Sequence, residues 1–143
     1  YDSCLLNETD FYENVLDSLE KLKQMNFTLA ICSNKPESLT RRIIKGLNAT
    51  NYFNTITGGD TFNYRKPDSR HLENTILQSG KKIQQAIMIG DSQNDILCAN
   101  ALNMPSIVVS FGYSNIPVKD LNASIIMSNY INLINHIQEI NNI

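Results

Sequence analysis

The chain has 143 residues, of which 42% are apolar and 18% are charged, and its formal net charge is −2. This length fits one domain with its own core, and the composition is not that of a disordered chain. The net negative charge argues against a nucleic-acid partner, which would select a basic surface. No apolar run approaches the roughly 18 residues of a membrane span, and the polar, acidic start is unlike a signal peptide, so no membrane association is expected.

The three cysteines, Cys4, Cys32 and Cys98, are scattered, without a CxxC pair or a metal-ligand spacing. Cys32 and Cys98 lie in apolar surroundings and are predicted to be small buried side chains. We therefore expect reduced thiols and a cytoplasmic protein.

Segments with helical and strand periodicity alternate along the chain. Apolar spacing predicts helices over about 12–25, 37–48, 68–79 and 93–103, and a closing helix that contains Ile131, Ile134 and Ile137. Short apolar runs predict strands over 27–32, 54–57, 86–89, 106–109 and 124–127. Apolar strands that alternate with helices indicate a parallel sheet in an α/β sandwich.

Two local signals refine this pattern. Asp68 is predicted to cap the N-terminus of the third helix, and Gly80 to end it. The abundance of Asn and Ile is interpreted as compositional bias without a function of its own.

Folds of this class place their chemistry at the carboxyl ends of the strands. Ser33 and Asn34 follow the first strand just before a helix, where backbone N–H groups and the helix N-terminus can bind an anion. The alternative is that they only shape a turn.

Lys66 precedes the third helix and can direct its ammonium group at a phosphate or a carboxylate. The alternative is a solvated surface lysine.

The segment from Gly90 to Asp95 follows the clearest buried strand. Gly90 permits a tight turn, and Asp91 and Asp95 lie four residues apart across it. Two carboxylates at one strand end form an oxygen-rich site that suits Mg²⁺. The alternative is a helix cap by Asp91 or Ser92, although a cap needs only one such residue. An anion site, a lysine and an acidic metal site in one crevice would serve phosphoryl transfer.

Four segments occur in the same order as in a known family. They are AICSNKP (Ala30–Pro36), GGDTFNYRKPDSRHL (Gly58–Leu72), MIGDSQNDILCANAL (Met88–Leu102) and SFGYSNIPV (Ser110–Val118). With these motifs the chain resembles the haloacid dehalogenase superfamily, and within it the phosphoglycolate phosphatase-like group. The resemblance implies a Rossmann-like three-layer α/β/α core with a mostly parallel sheet.

The resemblance also implies roles for the residues after the strands. Ser33 and the backbone of Asn34 would bind the transferring phosphoryl group, and Lys66 would neutralise it and orient the nucleophile. Asp91 would ligate Mg²⁺, and Asp95 would hold the metal site directly or through water. The implied substrate is a small phosphorylated metabolite, first of all 2-phosphoglycolate, hydrolysed through an aspartyl-phosphate.

One family motif has no counterpart here: the strand that ends in Asp-x-Asp-Gly-Thr and carries the nucleophile. The resemblance assigns residues 1–11 to a remnant of the cap-to-core connection and 12–143 to the core domain. We expect the first strand to be missing and the 143-residue chain to be inactive and marginally stable. Because that strand is central in the family's sheet, we also expect an apolar slot that a partner strand or chain fills.

Other functions remain open from the sequence. A phosphate- and Mg²⁺-binding module without turnover, an inert remnant, or a sugar phosphomutase could share these motifs. The acidic segment after the third strand argues against a dehalogenase. His71 and His136 are the only histidines and follow no strand, so neither a Ser-His-Asp site nor a zinc site is expected.

Overall fold

The computed structural model describes residues 15–113, 117–128 and 130–141. Within them the helices are α1 Val15–Gln24, α2 Glu37–Gly46, α3 Ser69–Gln78, α4 Gln93–Ala101 and α5 Leu133–Asn141. The strands are β1 Ala30–Cys32, β2 Thr55–Thr57, β3 Met88–Ser92, β4 Ser106–Tyr113 and β5 Ile125–Met127. Among the described residues, no helix is both long and apolar enough to cross a bilayer.

The strands form two parallel groups. β1 pairs with β2, while β4 lies between β3 and β5, and all three pairings are parallel. Within the described part of the chain, no strand pairs with the remaining edges of β1 and β3. The carboxyl ends of these two strands meet at Lys66, whose Nζ donates to the Cys32 carbonyl at the end of β1 and to Asp95 just after β3. The two groups therefore run in the same direction.

Helices cover both faces of these strands. On β4, Ile107 and Val109 pack with α1 and α5, while the intervening Val108 packs with Ile96 of α4. On β1, Ile31 packs with α2, and Cys32 packs with α3. This alternation has the two-residue period of a strand buried on both sides. The predicted three-layer α/β/α architecture with parallel strands is confirmed.

An apolar slot separates the two strand groups. It has a volume of about 250 Å³ and is lined by both facing strands and by side chains of α1 and α3. Leu29, Ala30, Ile87 and Ile89 lie along it and are not buried, although they belong to the middle of the molecule. The expected slot is therefore present.

Strand boundaries differ from the predicted ones. β1 is shorter than 27–32 because its ladder with β2 begins only at the pair Ala30–Thr55. β3 begins later than 86–89 and continues to Ser92, since its ladder with β4 resumes at Tyr113 after a register shift. Asp91 thus lies within the last residues of the strand and not after it. The length of each strand depends on its neighbour, which the local sequence does not reveal.

Asparagines end three of the helices. Asn26, Asn48 and Asn103 follow α1, α2 and α4 with φ of 66°, 57° and 54°, and Gly80 follows α3 with φ of 84°. After each of them a backbone N–H returns to a carbonyl of the last turn, as in Ala49 N–H to Ile44 O at 3.1 Å. The predicted stop at Gly80 is confirmed. These three asparagines have a structural role, because they adopt the left-handed conformation that ends a helix.

The two described cysteines, Cys32 and Cys98, are free and buried, as predicted. Burial raises the pKa of the Cys98 thiol to about 12, so it is neutral at physiological pH. Cys4 and the predicted cap-to-core connection at 1–11 lie outside the described residues.

The burial of β4 can be tested with two matched substitutions. Ile107 is 0% exposed and Ile126, on the edge strand β5, is 48% exposed. Ile107→Ala is expected to lower the free energy of unfolding by about 2–5 kcal/mol, and Ile126→Ala by less than about 1 kcal/mol. Urea denaturation followed by circular dichroism measures both. Equal losses would contradict the central position of β4.

Candidate functional site

A buried ion pair joins Lys66 to Asp95, whose side chains are 3% and 0% exposed. Lys66 Nζ also donates to the Cys32 carbonyl at 2.7 Å, and the Lys66–Pro67 peptide is cis. Burial alone lowers the pKa of Lys66, but the Asp95 carboxylate more than compensates and raises it. Burial likewise opposes ionisation of Asp95, yet the Lys66 ammonium helps to hold the pKa of this carboxyl well below its usual range. Both groups are therefore charged.

The second oxygen of Asp95 organises the turn into α4. Asp95 Oδ2 accepts hydrogen bonds from Asp91 N–H at 3.2 Å, Ser92 N–H at 3.3 Å and Ser92 Oγ at 3.2 Å. Ser92 is the N-cap of α4 and Asp95 completes a capping box. A side chain at Gly90 would collide with Asp95, so glycine is needed there for the close approach. The helix-cap interpretation thus holds for Ser92 and Asp95, and it leaves Asp91 for another role.

Asp91 has the properties of a cation ligand. It is 4% exposed, and its Oδ1 is buried without a hydrogen-bond partner among the described residues. Burial, reinforced by the charge of Asp95, raises the pKa of Asp91 to about 6. The described residues contain no cluster of three His, Cys, Asp or Glu side chains that could hold a metal. Mg²⁺ needs only one or two protein carboxylates beside water and phosphate, so Asp91 fits it.

Ser33 and Asn34 lie beside Lys66 at the end of β1. Ser33 is 1% exposed, its Oγ accepts from Lys35 N–H at 3.0 Å, and its hydroxyl hydrogen remains to be donated. Asn34 Nδ2 donates to the Lys66 carbonyl at 2.9 Å. No hydrogen bond between described residues uses Asn34 N–H. A hydroxyl and a backbone N–H are thus available beside an ammonium group.

The loop after β2 contributes in a way that the sequence did not predict. Any side chain at Gly58 or Gly59 would collide with the backbone of the loop after β1. Asp60 Oδ1 accepts from Glu37 N–H at 2.8 Å and so occupies the first amide of α2. The prediction that this helix N-terminus binds an anion is wrong for that amide, because the protein's own carboxylate is already there.

His71 is a site residue that sequence reasoning missed. It is 0% exposed, and its Nδ1 accepts from the backbone N–H of Lys66 at 3.2 Å. Burial and the Lys66 charge lower the pKa of His71 to about 4, so the ring is neutral and Nε2 carries the proton. Nε2 lies 3.3 Å from Thr57 Oγ1. The sequence feature that could have identified His71 is its position on the buried face of α3, next to Leu72 and Thr75.

The structure therefore brings Ser33, Asn34, Lys66, Asp91 and Asp95 together at one edge of the strands. A family model described as haloacid dehalogenase-like hydrolase matches residues 1–109.

Similar proteins were found both by sequence and by structure. A phosphoglycolate phosphatase of Agrobacterium fabrum is 41% identical over 130 residues, which are 91% of this chain and 56% of that protein. A phosphoglycolate phosphatase of Mesorhizobium japonicum is 39% identical over 119 residues, 83% of this chain and 52% of that protein. The crystal structure of a predicted phosphoglycolate phosphatase from Haemophilus somnus superimposes with a TM-score of 0.84 at 27% identity, over 90% of this chain and 57% of that one.

The chain belongs to the haloacid dehalogenase-like hydrolase family. The resemblance inferred from its motifs is confirmed. The chain spans about half the length of the curated relatives it matches.

Removal of one member of the buried ion pair is expected to cause a large loss of stability. Lys66→Met removes the ammonium group that faces Asp95 and is expected to lower the free energy of unfolding by about 3–5 kcal/mol. A further Asp95→Asn change removes the buried charge and should restore part of that loss. Arg70→Met, which breaks the exposed pair with Asp68, should cost less than about 1 kcal/mol. Chemical denaturation of the four proteins tests this, and equal effects of Lys66→Met and Arg70→Met would contradict it.

Neutral His71 predicts a pH dependence of stability. Its folded pKa of about 4 lies below the unfolded value of about 6.5, so its contribution is complete above pH 6.5 and is lost as the pH falls towards 4. The loss is on the order of 3 kcal/mol. In His71→Asn an amide oxygen can replace Nδ1 as acceptor without titrating. The difference in unfolding free energy between wild type and His71→Asn should shrink between pH 7 and 4. A constant difference would show that His71 does not titrate in this window.

Proposed function

We propose that the intact protein is a Mg²⁺-dependent phosphatase that hydrolyses a small phosphate monoester, with 2-phosphoglycolate as the first candidate. The observation that supports this is the convergence of three features at one strand edge. They are an ammonium group, a loop with available donors, and a carboxylate with one oxygen that has no hydrogen-bond partner among the described residues. Phosphoryl transfer depends mainly on positioning and charge neutralisation, which these groups provide. The names of the relatives from Agrobacterium fabrum and Mesorhizobium japonicum agree with the substrate.

Each residue has a role under this proposal. The Ser33 hydroxyl and Asn34 N–H donate hydrogen bonds to phosphoryl oxygens, and Lys66 neutralises their charge. Asp91 holds Mg²⁺, which supplies further positive charge at the phosphate. Both oxygens of Asp95 have partners in Lys66 and in the turn at 91–92. Asp95 therefore acts on the metal site by holding these neighbours in position.

The described residues supply no carboxylate that is assigned as the nucleophile. Among the described carboxylates at this edge, Asp60 caps α2 and Asp95 pairs with Lys66, which leaves Asp91. We assign Asp91 to the metal, because its Oδ1 is buried without a hydrogen-bond partner among the described residues. A second carboxylate would form the aspartyl-phosphate that water then hydrolyses. Under this proposal the described residues bind phosphate and Mg²⁺ but supply no nucleophile, and we expect no turnover from them alone.

Calorimetric titration of the 143-residue chain with MgCl₂ tests the metal assignment. Asp91→Asn is expected to weaken Mg²⁺ binding by at least about tenfold, because the proposed ligand loses its charge. Asp17→Asn makes the same change at an exposed position of α1 and should leave binding unaltered. Identical titrations of the two variants would show that Asp91 is not the ligand.

An assay for phosphate release tests the assignment of the nucleophile. With 2-phosphoglycolate and Mg²⁺, the 143-residue chain is expected to release no more phosphate than its Lys66→Met variant. Phosphate release that depends on Lys66 and Asp91 would show that the chain is a complete catalyst. It would refute the claim that the nucleophile is missing.

A further inference from the structure

Two loops at the candidate site are joined to each other by hydrogen bonds outside the strand ladders. The β1 loop, residues 33–36, carries the hydroxyl and the backbone N–H that are available to an anion. The β2 loop, residues 58–68, contains Lys66. Gly59 N–H of the β2 loop donates to the Lys35 carbonyl of the β1 loop at 2.7 Å. The backbone of the β1 loop is therefore held in part by the β2 loop.

Thr61 makes a second connection between the two loops. Its Oγ1 accepts a hydrogen bond from Gly58 N–H at 2.7 Å, and its hydroxyl donates to Glu37 Oε1 at 2.7 Å. Glu37 is the first residue of α2 and directly follows the β1 loop. A hydroxyl has only one hydrogen to donate, and here Glu37 receives it. Thr61 thus ties the beginning of the β2 loop to the end of the β1 loop.

The Glu37 carboxylate uses both of its oxygens. Oε2 accepts from Arg41 Nε at 2.8 Å, and Arg41 Nη2 donates to the Ile56 carbonyl of β2 at 3.2 Å. The hydrogen bond from Thr61 and the Arg41 guanidinium hold the pKa of Glu37 below its usual range, so this carboxylate is ionised at neutral pH. A hydrogen bond to an ionised acceptor is stronger than one between neutral groups. The bond from Thr61 is therefore of the stronger kind.

The donors of the β1 loop need such support because the strand ladder reaches only their first residue. Ser33 N–H donates to the Thr57 carbonyl at 3.1 Å, which fixes the start of the loop. No hydrogen bond between described residues uses the next amide, Asn34 N–H. Donors that are held in place before an anion arrives bind it more tightly, because less order is lost on binding. The bond between Thr61 and Glu37 holds the far end of this loop.

We propose that Thr61 and Glu37 are positioning residues, whose hydrogen bond keeps the donors of the β1 loop in place for a phosphate ligand. Neither side chain contacts the ligand, and both act through the backbone of the β1 loop. The inference rests on the proposed function, since it requires a phosphate that this loop binds. It extends the determinants of phosphate affinity to two residues that follow no strand directly.

Titration of the 143-residue chain with inorganic phosphate in the presence of MgCl₂ tests this assignment. Thr61→Val removes the hydroxyl at nearly constant side-chain volume and is expected to weaken phosphate binding by at least about fivefold, the scale of one hydrogen bond. Thr61→Ser keeps the hydroxyl and should retain the wild-type affinity. The matched control is Thr55→Val at the other end of β2, where the hydroxyl bonds to Asn54 Oδ1 at 2.6 Å. This control should leave the phosphate affinity unaltered, and equal losses in both valine variants would overturn the proposal.

Hydrogen exchange separates loop positioning from a general loss of stability. Thr61→Val is expected to speed exchange of the Gly59 and Glu37 amides by at least about tenfold. The amide of Val108, which is buried in β4, should exchange as in the wild type. Equally faster exchange at all three amides would show general destabilisation and would count against a positioning role.

A double-mutant cycle isolates the hydrogen bond itself. Glu37→Ala removes the acceptor and should weaken phosphate binding at least as much as Thr61→Val. Because both changes remove the same bond, Thr61→Val should have little further effect in the Glu37→Ala background. Losses of affinity that simply add would show that the two side chains act independently, contrary to the proposal.

Ser33→Ala distinguishes failure of this inference from failure of the proposed function. Phosphate binding that is weakened in Ser33→Ala but kept in Thr61→Val would overturn the positioning role alone. Phosphate binding that Ser33→Ala leaves unaltered, or no binding by the wild type, would overturn the proposed phosphate site and this inference with it.

Discussion

The buried pair of Lys66 and Asp95 is the interaction on which the arrangement of this chain depends. Lys66 lies before α3, yet its ammonium group reaches the carbonyl at the end of β1 and the carboxylate at the start of α4. It thereby connects two strand groups that share no ladder. Such a pair contributes little net stability, because desolvation offsets the attraction, but loss of either member is costly. The pair therefore determines where the two strand ends lie relative to each other.

Several neighbours hold this pair in position. His71 accepts the backbone N–H of Lys66, Asn34 donates to its carbonyl, and Gly90 provides the space for Asp95. The turn that Asp95 caps contains Asp91, whose Oδ1 has no hydrogen-bond partner within the part of the chain that the structure describes. The same side chains therefore hold the strand ends in position and form the candidate site. A substitution in the Lys66–Asp95 pair is expected to affect both.

The apolar slot separates the two strand groups on which the site residues lie. The two strand groups are joined by the helix layers and by Lys66, but their facing edges remain apart. Apolar side chains of both strands line the space of about 250 Å³ between them.

The sequence by itself determined the helices, the buried strands and the segments that carry Ser33, Lys66 and Asp91, because periodicity and turn chemistry act over a few residues. It also held unused local signals, such as the asparagines that end helices and the histidine on the buried face of α3. The tertiary structure alone decided the strand lengths, the capping of α2 by Asp60 and the contact of His71 with Lys66. These depend on pairing between segments far apart in the chain, and no local pattern specifies which edges meet.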